Sequence, residues 1–188
     1  MLELLLTASD GGTAWRHLLA EGEARAGWEC VGPLGLAKRL GRLYGLRGEP
    51  APHPERLAAY AARLARLDDG TRSFSRSRRE DPWGVAAFLL GLRDGLRGLE
   101  WGGGDLDGSP RLADLAAAER AGGAGLPPLL PGAEDVLAAL AAEIERAPSL
   151  PEPLAIRVAA PEPSLDPVLR RVLASLEARG ARVERARG

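Results

Sequence analysis

The sequence predicts an α/β protein in which a parallel sheet covered by helices is interrupted by an all-helical subdomain. Three observations carry this expectation. Short, continuously apolar runs, the mark of strands buried on both faces, occur only near the two ends of the chain. From about His53 to Ala147 the apolar residues recur at helical spacing instead. The closing stretch, Leu154 to Arg185, has the pattern of one β-α-β unit, whose crossover must be right-handed if its strands are parallel neighbours. The expected division is an α/β core over 1–52 and 148–188 and a helical insertion over 53–147.

Taken in order, Leu2-Glu3-Leu4-Leu5-Leu6-Thr7 reads as a buried strand that feeds the glycine turn Ser9-Asp10-Gly11-Gly12. A helix is expected from Thr13, as cap, to Ala20, with Trp15, Leu18 and Leu19 facing inward. Trp28 to Val31 reads as a second short strand. Pro33 opens a helix that carries Leu36, Leu40 and Leu43 on one face, and Gly45 can end it. In the insertion, Pro54 to Leu67 sets Leu57, Ala61, Leu64 and Leu67 in one stripe, which Asp68-Asp69-Gly70 stops. Asp81-Pro82 is a strong start signal, a capping carboxylate followed by a first-turn proline, for a helix with Val85, Leu89, Leu92 and Leu96 inward. Gly102-Gly103-Gly104 breaks the pattern. Helices are expected over Arg111 to Ala121 and Ala133 to Arg146, separated by a loop from Gly122 to Pro131. After the proline-spaced segment Pro148 to Pro153, Leu154 to Val158 reads as a strand and Asp166-Pro167 starts a helix through Arg179. Gly180 caps that helix, and Arg182 to Arg185 is the last strand.

Composition narrows the function classes. The 188 residues suffice for one domain, or a core with an insertion, that buries a substantial interior. A net charge of -1 gives no global positive field for nucleic acid or an anionic membrane, so any such binding must come from a local patch. All but one of the 25 basic residues are arginine, Lys38 being the exception. With so many Ala, Gly, Leu and Pro, this suggests a GC-rich coding sequence more than a function. Cys30 is the single cysteine, which excludes an intrachain disulfide framework, a multi-cysteine zinc site and an iron-sulfur cluster. His17 and His53 are far apart in sequence and leave little material for a histidine metal site or triad. No cofactor is expected. No apolar run approaches the ~20 residues of a membrane span, and the N-terminus lacks a basic-apolar-small leader pattern, so the cytoplasm is the expected compartment.

Two motifs are candidates for binding. The turn Gly11-Gly12-Thr13 lies where a phosphate loop would follow the first strand. Aligning its second glycine on Gly12 puts Thr7, Thr13 and Ala14 where glycine, lysine and a magnesium-binding hydroxyl are required. The turn is therefore either a structural strand-to-helix connection or an anion grip through backbone amides alone. The run Arg72-Ser73-Phe74-Ser75-Arg76-Ser77-Arg78-Arg79 interleaves arginines with hydroxyls and an aromatic ring. Arg72, Arg76, Arg78 and Arg79 would meet phosphates and Phe74 would stack a base of single-stranded nucleic acid. The alternative is a solvated loop whose arginines pair with Asp68, Asp69, Glu80 and Asp81. Arg179, Arg182, Arg185 and Arg187, interspersed with Glu177 and Glu184, read as helix-dipole partners and exposed faces. No paired-carboxylate site can be argued.

The segment Ser73-Phe74-Ser75, followed by Asp81-Pro82-Trp83-Gly84-Val85-Ala86, Leu89-Leu90, Leu92-Arg93-Asp94, Leu96 and Trp101, resembles the N-terminal region of large bacterial PD-(D/E)XK nuclease proteins related to the AddB and RecC subunits of helicase-nuclease complexes. Val31-Gly32-Pro33-Leu34-Gly35-Leu36, Arg111-Leu112-Ala113-Asp114-Leu115 and the final strand-helix-strand unit fit that pattern in the same order. The resemblance implies a degenerate RecA-like domain with a helical insertion, part of a protein that processes double-stranded DNA ends in recombinational repair. It also implies that this chain is a fragment, for which DNA and a helicase partner subunit are the expected partners, and from which neither ATP hydrolysis nor cleavage is expected. None of the family's nuclease residues can be placed on this chain, nor are its iron-sulfur cysteines here, since Cys30 stands alone. Two other functions stay open: a small α/β enzyme that grips a nucleotide or sugar phosphate at Gly11 and Gly12 and works through an acid such as Asp10, and a stand-alone interaction domain.

Overall fold

The computed structural model describes residues 2–7, 28–46, 49–106, 108–122, 125–159 and 164–185. Among them are strands β1 (Leu2–Leu6), β2 (Glu29–Val31), β3 (Leu154–Val158) and β4 (Arg182–Arg185), and helices α1 (Pro33–Leu43), α2 (His53–Leu67), α3 (Ser75–Glu80), α4 (Pro82–Gly98), α5 (Pro110–Arg120), α6 (Ala133–Arg146) and α7 (Pro167–Ala178). The chain divides into two compact units, one of residues 1–49 and 135–188 and one of residues 50–134.

The first unit is α/β. Its four strands pair in parallel in the order β2-β1-β3-β4, so the first apolar run and Leu154–Val158 are neighbours, in register from Leu2 against Leu154 to Leu6 against Val158. The two central strands are the more apolar ones, because a strand paired on both sides within helical cover meets little water. The edge strand β4 carries Arg182, Glu184 and Arg185, charges that blunt an open edge. Leu4, Leu6 and Ile156 pack with Leu36 and Leu40 of α1, Leu140 and Ile144 of α6, and Val172, Leu173 and Leu176 of α7 in one continuous core. The start and stop signals act as expected: Pro33 and Pro167 stand in first turns, and Gly45 and Gly180 adopt positive φ beyond the helix ends.

Helix α6 runs over the residues the sequence predicts, but most of it lies outside the helical insertion to which the sequence reading assigned it. Its buried face, Val136, Leu137, Leu140, Ala141 and Ile144, belongs to the sheet's core, so the boundary falls at 134/135 rather than 147/148. Arg179 fixes the far end of α6 by donating to the carbonyls of Ile144 and Glu145, two of the orphan acceptors of a helix C-terminus.

The second unit is helical throughout its described residues. Tyr60 and Leu64 of α2, Ala86, Leu89 and Leu90 of α4, Leu115 and Ala118 of α5, and Phe74 form its apolar core. The predicted cap of α4 is present, with Asp81 Oδ1 accepting from the Gly84 amide at 2.8 Å. A Cβ on Gly84 would stand 2.1 Å from Asp81 Oδ2, so the cap needs glycine at that position.

Candidate nucleic-acid interface

The basic run follows a turn held by its own acids. Asp68 accepts from the Gly70 amide at 3.0 Å, and Asp69 accepts from the Thr71 amide at 2.9 Å and hydroxyl at 2.7 Å. The chain then enters α3, a helix that the sequence reading left as part of a basic segment. Asp68 reaches into it, accepting from the Ser75 hydroxyl and from Arg78 Nε at 2.7 Å. The Ser75 hydroxyl, with the Gly70 amide and Arg78 behind it, holds the Asp68 carboxyl below its ordinary range despite partial burial. Arg72 pairs with Asp114 at 3.3 Å and with Asp69 at 3.7 Å, and the Ser73 amide donates to Asp114 at 2.7 Å.

These contacts divide the predicted nucleic-acid set. Phe74 is 6% exposed and belongs to the core, so it cannot stack a base, and its assignment as the stacking residue is wrong. Arg72 and Arg78 are neutralised by carboxylates. Arg76 and Arg79 project from α3 as exposed residues and make no ion pair with a described residue. The bland alternative therefore holds for Asp68 and Asp69 but not for Asp81, whose described bond is the helix cap. The anion turn Gly11, Gly12 and Thr13, with Asp10 and the helix expected to follow it, lies outside the described residues. The strand that leads to it ends at Leu6, and the next residue, Thr7, is buried and donates through its amide to the Val31 carbonyl at 2.9 Å.

Between α3 and α4 lies a groove of about 390 Å³, which neither Arg76 nor Arg79 lines. Its polar lining includes Ser73, Ser77, Glu80 and Arg111, and Val85, Phe88 and Leu89 of α4 give it apolar walls. Phe88 is 57% exposed and Trp83, five residues earlier on α4, is 55% exposed.

Three charged side chains of the helical unit lie inside it. Arg56, Arg63 and Arg93 are all buried. Arg93 grips Glu119 with two bonds, at 2.8 and 3.0 Å, and reaches Asp94 at 3.2 Å; Arg56 donates to the same Asp94 with two bonds and to the Leu130 carbonyl at 3.3 Å. Arg63 spans the end of α5, donating to the carbonyls of Ala118 and Pro127 at 2.7 Å each and to that of Ala121. The buried Tyr60 hydroxyl has no hydrogen-bond partner among the described residues, and burial together with Glu119 drives its pKa far above the usual tyrosine range. Arg56, Tyr60 and Arg63 stand at i, i+4 and i+7 on α2, a helical row that sequence spacing could have revealed.

Among the described residues no group of histidine, cysteine and carboxylate side chains is placed to hold a metal ion, and no helix is long and apolar enough to cross a membrane. No protein-family model matches the chain, and no curated protein matches it.

Proposed function

We propose that this chain is a non-catalytic, helicase-like domain of RecA-like type that supports DNA binding and subunit contacts in a DNA helicase-nuclease protein of double-strand break repair. One observation carries the reading: a parallel sheet is interrupted between β2-α1 and α6-β3 by a separate helical unit, and the residues of the resemblance are the joints of that unit. Asp81 caps α4, Arg93 and Asp94 sit in the buried ion network, Asp114 ties down the Arg72-Ser73 backbone, and Phe74 fills the core. Trp83, from the same motif, is left largely exposed, as a contact residue would be. DNA contact falls to Arg76 and Arg79, since the other two arginines of the run are spent on carboxylates.

Fluorescence anisotropy with labelled single strands and duplexes tests this. Two arginines on a single strand give a log-log salt slope of roughly −1.4, and binding without sequence preference. Arg76→Ala with Arg79→Ala flattens the slope, and no binding by the wild-type chain at low salt removes the DNA part of the reading.

A second reading keeps one observation in its favour. The chain leaves β1 for β2 on one side and β3 for β4 on the other, so the carboxyl ends of β1 and β3 form a topological switch point, where open α/β sheets bind ligands. The first reading expects no thermal shift with MgATP, whereas occupancy at one hundred times Kd would add about 2.7 kcal/mol of stability. A shift that disappears on mutating Gly12 favours the enzyme.

A further inference from the structure

Helix α4 has a solvent face with no charge on it. After the first-turn Pro82, its exposed residues are Trp83, Gly84, Ala87, Phe88, Gly91 and Gly95. Every other described helix exposes at least one charged side chain, such as Lys38 on α1, Arg66 on α2 or Arg170 on α7. A surface helix ordinarily turns charged and polar residues outward, and a helix that is apolar all round is a buried one. At the end of α4 stands Leu99, 64% exposed, whose amide donates to the Gly95 carbonyl at 3.2 Å and so continues the helical spiral. Phe88, Leu92, Gly95 and Leu99 therefore follow one another at i, i+4, i+7 and i+11 along a single stripe. Where a Cβ would sit on Gly91 or Gly95 nothing stands within 4 Å, so the middle of the stripe is open to close approach.

The two ends of this stripe complement each other. At its amino end the groove of about 390 Å³ has apolar walls of Val85, Phe88 and Leu89, and its charged lining is two carboxylates, Glu80 and Asp81, against the single guanidinium of Arg111. Such a seat disfavours an anion and suits an uncharged, apolar knob. Leu99 at the carboxyl end is a knob of that kind. Groove and knob lie about 22 Å apart along the helix, too far to meet within one chain. In an antiparallel pair of α4 helices with a two-fold axis at Gly91, Leu99 of each copy reaches the groove of the other, and Phe88 of each lies over Gly95 of the other. One rotation satisfies both contacts, as a self-complementary interface requires. We infer that the exposed face of α4 is the contact between two copies of this chain, paired antiparallel about Gly91. The helix face offers roughly 400 Å² per copy, or about 800 Å² in all before Trp83 and the groove walls add to it, close to the roughly 1,000 Å² at which specific interfaces begin. The dimer is accordingly weak and reversible. The inference goes beyond the function proposed above and needs no DNA.

Sedimentation equilibrium of the full chain over about 1 to 200 μM, a span that covers weak association, should show monomer passing into dimer. Gly91→Arg sets like charges face to face at the axis and should leave a monomer, and circular dichroism should show the fold kept, since the site is open and glycine is disfavoured inside a helix. Phe88→Ala should raise the dissociation constant at least about tenfold, because the change enters the interface twice. Ala62→Arg, on the exposed face of α2, should change nothing. In a Cys30→Ser background, Gly91→Cys should form a disulfide-linked dimer on mild oxidation and Ala62→Cys should not. An apolar contact keeps its strength at 1 M salt, so loss of the dimer there would show that charges hold it and would overturn the inference. A dimer that survives both Gly91→Arg and Phe88→Ala lies on another face, which is equally fatal. A chain that stays monomeric at the highest concentration overturns the pairing, and flotation with phosphatidylcholine vesicles that Phe88→Ala abolishes would then assign the face to a lipid surface. Arg76→Ala with Arg79→Ala, which tests the DNA reading, should leave the dimer intact, so either idea can fail without the other.

Discussion

The two units hold themselves together in opposite ways. In the α/β unit the interior is apolar from β1 through α7, and the described ion pairs, such as Arg171 with Glu145 and Lys38 with Glu49, involve side chains about 30% exposed or more. In the helical unit Arg56, Arg63 and Arg93 are inside, while Trp83, Phe88 and Leu99 are outside. A parallel sheet sets strand positions through its backbone ladder, so the helices above it need only apolar fit. Helices without a sheet have no such ladder. Here guanidinium groups do the equivalent work, because their fixed fork of donors reaches carboxylates and helix-end carbonyls at defined angles. The helical unit thus exchanges apolar bulk for directional bonds, and its apolar surface is left free for contact.

The sharpest way to break this comparison is to remove a charge from each unit. Arg93→Ala strands Glu119 in a largely buried site, leaving Asp94 to Arg56 alone, and should destabilise the helical unit by about 3–5 kcal/mol, as loss of one partner of a buried pair does. Arg171→Ala removes an exposed bidentate pair and should cost only about 0–1 kcal/mol. Hydrogen exchange read separately on amides of α2, α4 and α5 and on those of β1 and β3 assigns each loss to its unit. Equal losses from the two arginines would erase the distinction. The complementary deletion, Leu140→Ala in the fully buried core beneath the sheet, should cost about 2–5 kcal/mol and appear in the strand amides.

The same contrast decides what was legible in the sequence. The α/β unit was readable because strand apolarity, first-turn prolines and terminal glycines all report local physics, and β1, α1, β3, α7 and β4 lie where these signals put them. The helical unit was readable in its elements, α3 excepted, but not in its interior. The predicted stripe of α2, Leu57, Ala61, Leu64 and Leu67, is only partly the buried one, which centres one position earlier on Arg56, Tyr60, Arg63 and Leu64. On α4 the buried set is Ala86, Leu89, Leu90 and Arg93, where Val85, Leu89, Leu92 and Leu96 were expected. In both helices the buried face carries an arginine whose partner is more than twenty residues away, which spacing cannot report. Phe74 was misread for the converse reason, since a ring among arginines and serines carries no apolar periodicity. Phe88, in a helix read for its inner face, was passed over as a binding residue.

A smaller effect sharpens the local side of the comparison. Asp81→Ala removes the cap of α4 and should cost about 0.5–2 kcal/mol. Gly84→Ala keeps the carboxylate but drives a Cβ against it, so it should cost at least as much, and the pair together should cost no more than the worse single change. Additive losses measured by urea unfolding would mean that the cap and the glycine act independently.

The smallest expected effect concerns protons, and here the two units differ in mechanism. Asp68 in the helical unit is held below its ordinary value first by the Ser75 hydroxyl, a neutral partner in a half-buried turn. Glu145 in the α/β unit is held below its ordinary value first by Arg171, a charged partner in water. Both carboxyls bind protons more weakly folded than unfolded, so each contributes stability above the unfolded value of about 4 that is lost as pH falls through the folded value. Salt separates them, because screening weakens an exposed ion pair and leaves a hydroxyl bond nearly unchanged. Carboxyl-carbon NMR titrations at low and at 1 M salt should therefore move Glu145 upward while Asp68 shifts little. Ser75→Ala should raise Asp68 toward the ordinary aspartate value without moving Glu145. If Asp68 instead follows the salt as Glu145 does, Arg78 rather than the hydroxyl governs it, and the helical unit is as dependent on solvent-screened charge at this turn as the surface of the sheet.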